Sequence, residues 1–293
     1  MDTLEALGAR IETTDEIRDI VRTMKALSAV SIRQYERAAA AMHEYQRTVE
    51  LGLRVVLGSA SAPVPGAPLP PGRRAAVVIG SDRGLCGRFN EAVANFADRD
   101  IDARGHRREA RPLLLAVGVR VADRLAGLGR VPDTVDMLPG SADGLVRMAQ
   151  AILIQLEDWR THEGVTAIRV YFNRRTPEAR ARPGSRAVAP LSAAYLSRLA
   201  AGTWPARGLP MFTMPGDQLF AALARQLMYA GIYRAGADSL ACEHATRLAA
   251  MQAAERNIDE RLSDLGATYR KMRQDAITTE LLDLVAGFEA ARG

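Results

Sequence analysis

"RRAAVVIGSDRGLCGRFNEAVANFA", residues 73–97, decides how the rest of the chain is read. The first eight residues form an apolar run bounded by arginines, as a buried strand does. "FNEAVANFA" reads as a helix, and from Gly80 onward the turn before it holds three glycines, two arginines and a cysteine. Strand, glycine-rich turn and helix is the grammar of a phosphate-binding loop. The spacing is wrong for one, however. A dinucleotide fingerprint needs G-x-G-x-x-G and an acid at the tip of the second strand. Here Gly80, Gly84 and Gly87 are spaced differently, Asp82 stands where the second glycine belongs, and the second strand ends in "AVGVRVAD". No Gly-Lys-Ser/Thr follows, so a P-loop fails as well. Cys86 as a nucleophile would need a histidine base. His43, His106, His162 and His244 are scattered outside any motif, so a small buried thiol is the expected role.

Outward from this stretch, proline organises the chain. Proline lacks the N–H and clashes with the preceding helical turn. All 14 prolines lie between Pro63 and Pro215, which leaves both ends free for long helices. In the first segment Leu7, Thr14, Val21, Ser28, Tyr35, Met42, Val49 and Val56 recur every seven residues, with Leu4, Ile11, Ile17 and Met24 as a second seam. In the last segment Met251, Ile258, Leu265 and Met272 repeat the pattern beside Leu248, Leu262, Tyr269 and Ala276. A narrow apolar stripe on a polar helix is the signature of a coiled coil. A helix from about residue 216 to 288 is roughly 110 Å long at ~1.5 Å per residue, so much of it must project from a small domain. The other terminal helix is its expected antiparallel partner.

Between the helices the pattern alternates. Strand candidates at 75–80, 113–118, 134–138 and 166–172 are separated by helix candidates at 90–98, 120–127 and 143–160. That order implies parallel strands in an α/β layer domain. The expected organisation is a helix over 1–58, a Pro/Gly/Ala linker over 59–72, a Rossmann-like α/β head over 73–210 and a helix over 211–293. Within it, residues 175–215 read as a loosely ordered connection or a short hairpin.

The formal net charge is +5, almost all of the positive charge being arginine, which suits an acidic protein surface as well as nucleic acid. "RGHRREAR" (104–111) lacks interleaved aromatics and reads as a solvated loop rather than a nucleic-acid site. "CEH" (242–244) lacks the further ligands of a zinc site. No pair of carboxylates stands out as acid and base. The expectation is therefore no catalytic residue, no cofactor and no metal. "MDTLEALGAR" is acidic and amphipathic, unlike a secretory signal, and no apolar run approaches ~20 residues, so direct membrane insertion is not expected.

Three blocks carry a family resemblance over the whole chain. "SDRGLCG" (81–87) resembles the loop after the first head strand of the γ subunit of F-type ATP synthases. "SLACEHATRLAAMQAAERNI" (239–258) and "RQDAITTELLDLVAG" (273–287) resemble that family's C-terminal helix blocks. The first helix departs from the family. "IETTDEIRDIVRTMKALSAVS" (11–31) keeps Ile11 and Met24, but Glu16 and Ile17 replace Asn-Thr, Lys25 replaces a usual acid and Ser31 a usual lysine. These departures point to a divergent branch, such as the alternate F-type ATPases found beside a housekeeping enzyme in some bacteria.

The resemblance implies a non-catalytic rotor. Its coiled coil stands inside a hexamer of α and β subunits, and its foot sits on the c-ring of the membrane sector beside ε. Rotation driven by protons or sodium ions then presents a different face of the shaft to each β subunit. The place implied is peripheral, on the cytoplasmic face of the bacterial plasma membrane. Carried over position by position, the partner contacts are Met24 on the first helix and Arg273, Gln274, Thr278 and Glu280 on the last helix; on the glycine-rich loop Arg83 and Arg88 suit acidic loops of the β subunits, the alternative being that the loop only packs the head against the stalk. The alternatives from other classes are a coiled-coil scaffold or tether with an α/β head, and a nucleotide-dependent enzyme.

Overall fold

The computed structural model describes residues 3–59, 72–104, 111–176, 181–205, 207–208 and 210–290, so all but the ends of the 59–72 linker and most of the 104–111 basic stretch lie outside the described residues. Helix α1 runs Leu4–Leu57 and helix α6 runs Gly216–Ala290, each without a break. Between them come β1 (Arg73–Ile79), α2 (Phe89–Arg104), β2 (Leu113–Val117), α3 (Val119–Gly127), β3 (Thr134–Asp136), α4 (Gly144–His162), β4 (Val165–Arg175), β5 (Ala181–Ala189) and α5 (Ala193–Ala200). The chain divides into two compact units, one of α1 up to Ser28 with α6 from Arg247, the other of residues 29–246.

In the larger unit the five strands lie in the order β3-β2-β1-β4-β5. Pairings among β1 to β4 are parallel, and β5 returns antiparallel on β4. The region from residue 175 is thus a hairpin with a long second strand, followed by a helix that its arginine and proline content hid. Pro183 is tolerated because β5 is the sheet edge, where a missing N–H breaks no ladder.

Alternation along the strands feeds two cores. Ala75, Val77 and Ile79 of β1 face α4 and α6, packing against Ile152, Leu156, Met228 and Ile232. Ala76 and Val78 face α2 and α3, against Val93, Ala97, Val121 and Leu125. Helix α6 comes so close to α4 that a Cβ on Gly236 would stand 2.4 Å from Met148 Cε. Helix α5 docks on α1 and the start of α6 through Leu199, Leu53 and Leu227. Arg54 holds its C-terminal end, donating from Nε to the Leu199 carbonyl (3.1 Å) and from Nη1 to the Thr203 carbonyl (2.6 Å), where the helix dipole favours a cation. The seven-residue stripe of α1 continues here, with Tyr35, Val49 and Val56 buried.

In the smaller unit α1 and α6 pair antiparallel, since partners on α6 descend as those on α1 ascend. Gly8 meets Tyr269, Arg18 meets Asp259 and Arg22 meets Glu255. Leu7, Val21, Ser28 and Met251 are buried in the seam. One seam position differs from the sequence reading. Ile17 is 46% exposed, because a seven-residue step from Ile11 lands on Arg18, which takes the inner position and pairs with Asp15 and Asp259. Glu255 accepts from Lys25 and from Arg22 (3.2 Å), and these hydrogen bonds, that of Lys25 first, hold its carboxyl below the usual range. A depressed carboxylate contributes above its unfolded value, so the pairing is complete at neutral pH and fades as the solution is acidified through the lowered value.

A seam that uses Gly8, Thr14 and Ser28 buries little apolar surface, at ~25 cal/mol per Å2 of it. Hydrogen exchange on the isolated subunit is therefore expected to be fast over residues 277–288, intermediate over 4–28, and slowest in β1, β2 and the facing turns of α4. Equal protection along all of α6 would contradict this.

Candidate partner-contact surface

The loop after β1 is packed with its own polar groups. The Gly80 amide donates to the Val117 carbonyl (2.9 Å) and the Ser81 amide to Asn90 Oδ1 (2.9 Å). Asn90 returns a bond from Nδ2 to Ser81 Oγ (2.8 Å), and Ser81 Oγ donates to the Arg83 carbonyl (2.8 Å). Asp82 accepts from the Val119 amide (2.9 Å) and the Leu138 amide (2.8 Å). Val119 opens α3, so the place where a helix N-terminus would receive a phosphate is taken by the protein's own carboxylate. The glycines serve packing. A Cβ on Gly80 would lie 2.3 Å from Val121 Cβ, and Gly118, at φ 114°, has the Ser81 backbone 2.8 Å from where its Cβ would be. The amides of Gly80, Ser81 and Val119 are thus already engaged, and neither Gly80 nor Gly118 leaves room for an added carbon.

What it leaves exposed is a crown. The Arg83 side chain is exposed and has no hydrogen-bond or ion-pair partner among the described residues. Arg88 is exposed but already pairs with Glu91 one helical turn on, at 2.8 and 3.1 Å. That hydrogen bond raises the guanidinium and lowers the carboxyl. Between them stands Leu85, 62% exposed and held at φ 62°. A leucine in the left-handed region is uncommon and costs of order ~1 kcal/mol or more. The sequence reading missed Leu85, and an apolar residue among loop glycines was the only available signal.

Both cysteines are buried in one cluster with Phe89. Burial pushes the Cys242 thiol up to about 12, which suppresses the thiolate. His244 of the "CEH" stretch stacks on Tyr35 with ring centroids 5.6 Å apart. Among the described residues no group of His, Cys, Asp and Glu could hold a metal ion, and no described helix is long and apolar enough to cross a membrane.

A second surface lies on the smaller unit. Arg273, Gln274, Thr278 and Glu280 are all exposed on α6, and Thr278 donates its hydroxyl back to the Gln274 carbonyl (2.9 Å). Beside them Ile277, Leu281, Leu284, Val285 and Phe288 are 48–70% exposed and follow the 3.6-residue period on one face. On α1, Ile17, Ile20 and Leu27 are also exposed. Met24 lies on the seam side, half-buried between Val21 and Ser28.

Residues 3–291 match the ATP synthase family model. The ATP synthase gamma chain of Granulibacter bethesdensis is 30% identical over 305 residues, covering 99% of this chain and all of the relative. That of Bdellovibrio bacteriovorus is 28% identical over 302 residues, with full coverage of both. Among solved structures, a chain of the Euglena gracilis mitochondrial ATP synthase superposes with a TM-score of 0.65 at 16% identity, over 98% of this chain and 94% of that one. A chain of the Tetrahymena thermophila central stalk and c-ring assembly gives 0.54 at 18% identity, over 80% and 99%. The chain belongs to the ATP synthase gamma-chain family, whose members are the central rotor stalk.

Two outcomes follow from the loop. Gly118→Ala is expected to destabilise the subunit by ~2–4 kcal/mol in denaturant unfolding, through strain at positive φ and the clash with Ser81. In native buffer at pH 8 a maleimide should leave Cys86 and Cys242 unmodified, whereas both should react fully in denaturant. Rapid labelling of the native chain would reject the inert-thiol reading.

Proposed function

We propose that the chain is the rotor of an F-type ATP synthase, turning inside a hexamer of α and β subunits on the c-ring of the membrane sector, with ε alongside. The chain itself hydrolyses nothing, and its coupling ion, proton or sodium, is chosen by the membrane sector. Its working place in this reading is peripheral, on the cytoplasmic face of a bacterial plasma membrane.

The observation that carries the reading is the exposed apolar face from Ile277 to Val285 near the end of α6. A helix end that displays an apolar stripe to water at Ile277, Leu281, Leu284 and Val285 fits an apolar sleeve, and such a sleeve lets a shaft slide without breaking specific bonds. The family's structural relatives support this, one being described as the rotor of the Euglena enzyme. Beside the stripe, Arg273 and Gln274 form the gripping element. Arginine offers five donors in a planar fork, and glutamine a donor and an acceptor. They engage a carboxylate or backbone carbonyls of one β subunit at a time. On the head, Arg83 and Leu85 meet the β subunits, and Arg88 does so by exchanging Glu91 for an outside carboxylate. A shaft that differs from side to side biases three equivalent sites because it touches each one differently.

The test is reconstitution. An Arg273→Ala/Gln274→Ala double variant should fold and assemble with α and β, because both side chains are exposed and off the Met251–Met272 seam. Charge-assisted hydrogen bonds contribute ~1.5–3 kcal/mol when partly desolvated, so ATP turnover should fall by roughly ten- to a hundredfold. Unchanged turnover would return the pair to solvent. A chain that fails to co-purify with α and β would favour the scaffold reading.

A further inference from the structure

The rotor reading makes no use of a concentration of arginine in the larger unit. A cavity of about 380 Å3 opens between α1, the β4–β5 hairpin and α6, and its ionic lining is Arg174, Arg175, Arg186 and Arg234 with Glu36 and Asp238. Four cations against two carboxylates leave an excess of positive charge.

The existing bonds do not use that charge. Arg175 pairs with Glu36. Arg234 donates from Nη1 to Gln46 Oε1 (3.1 Å) and contacts His43 Nδ1 (3.2 Å), but its Nε is buried with no hydrogen-bond partner. Arg186 lies over the Phe172 ring, 6.0 Å from its centroid, and neither it nor Arg174 has a hydrogen-bond acceptor or an ion-pair partner among the described residues. Asp238 is half-buried and makes no ion pair with the arginines around it. Burial pushes its carboxyl up, against the pull of Arg234, Arg186 and Arg174, which weakens the only uncommitted negative charge in the cavity. Burial, and then the charge of Arg234, push the Arg186 guanidinium down. A second recess of about 360 Å3 also borders Arg186 and Arg234, so these side chains face open space where acceptors would otherwise stand.

We infer that this cavity is a binding site for a small phosphate-type oxyanion, inorganic pyrophosphate or a close analogue, held by Arg186 and Arg234 at the back and Arg174 at the mouth. The planar guanidinium fork matches the oxygens of a phosphoryl group two at a time. The half-buried cations lie behind exposed Arg174 and Arg175, within reach of a compact anion and awkward for a polypeptide, whose backbone polar groups would also enter the recess. The site is separate from the glycine-rich loop and from the end of α6, and it does not depend on assembly into a rotor.

Calorimetric titration of the full chain with pyrophosphate, at constant chloride, tests it. The expected result is saturable binding of one anion, weakened at least about tenfold by Arg186→Gln and unaffected by Arg120→Gln, an equal change of charge on exposed α3. Thermal unfolding of each variant identifies any that fails to fold, and Arg174→Gln, at an exposed position, then supplies the measurement. The inference is overturned if the wild-type chain shows no saturable heat. It is also overturned if Arg120→Gln costs as much as Arg186→Gln, which would mean diffuse counter-ion binding. A third overturning result is that hexaglutamate or anionic lipid vesicles bind through Arg186 while pyrophosphate does not.

Discussion

One unbroken helix has to satisfy two environments. Over residues 227–242, α6 is a core element, with Ile232, Ala235, Ala237 and Cys242 inaccessible to water on several faces. From Arg247 to about Ala276 it is one strand of a two-stranded coil, buried on one stripe only, and residues 277–288 are exposed. The sequence changes character with the environment. In the core portion small residues let the helix approach α4 and β5, as at Gly236 and at Gly231, whose Cβ would lie 3.1 Å from Val188. In the coil portion charged residues return to three sides. No proline interrupts the helix from residue 216 on, so each portion keeps its backbone hydrogen bonds.

The same economy of groups explains why a loop with the outline of a nucleotide site is not one. In phosphate-binding loops the backbone amides and the helix N-terminus stay unpaired until a ligand arrives. Here Asn90 takes up the Ser81 amide, and Asp82 takes up the amides of Val119, at the start of α3, and Leu138. Because each side chain bridges two segments, the loop is fixed to α2, to α3 and to the end of β3 at once. The rigidity has a use, since it supports Leu85 in a left-handed conformation on an exposed crown.

Most of the fold was legible because it rests on periodicity and on proline. The seven-residue stripe led to Tyr35, Val49 and Val56, all buried, and alternation found four of the five strands. What was hidden lay where composition contradicts the local structure. β5, "ARPGSRAVA", carries a proline and a glycine and is held by its ladder with β4 rather than by β propensity. α5 is eight residues long and depends on Leu53, Leu227 and Arg54 to persist. For the contact surface, sequence placed Arg83, Arg273 and Gln274 on exposed positions. It could not foresee that Arg88 is paired with Glu91, or that Leu85 rather than an arginine stands at the strained position. Both facts depend on backbone angles within the turn.

The charges flanking the α1–α6 seam resolve a further difficulty. A seam built on Gly8, Thr14 and Ser28 has few bulky knobs, and smooth apolar seams slip in register more easily than leucine-rich ones. Exposed ion pairs stabilise little, ~0–1 kcal/mol each, yet they discriminate strongly between registers. Sliding one helix by a turn, ~5.4 Å, would separate Arg18 from Asp259 and both Arg22 and Lys25 from Glu255 together. Lys25, which stands where the resembled family usually has an acid, therefore has a role within the chain. An acid there would face Glu255 and repel it, leaving Arg22 alone to hold the register. Stability of this coil comes from its apolar stripe, but its alignment is set by a ladder of opposite charges that a purely apolar seam would lack.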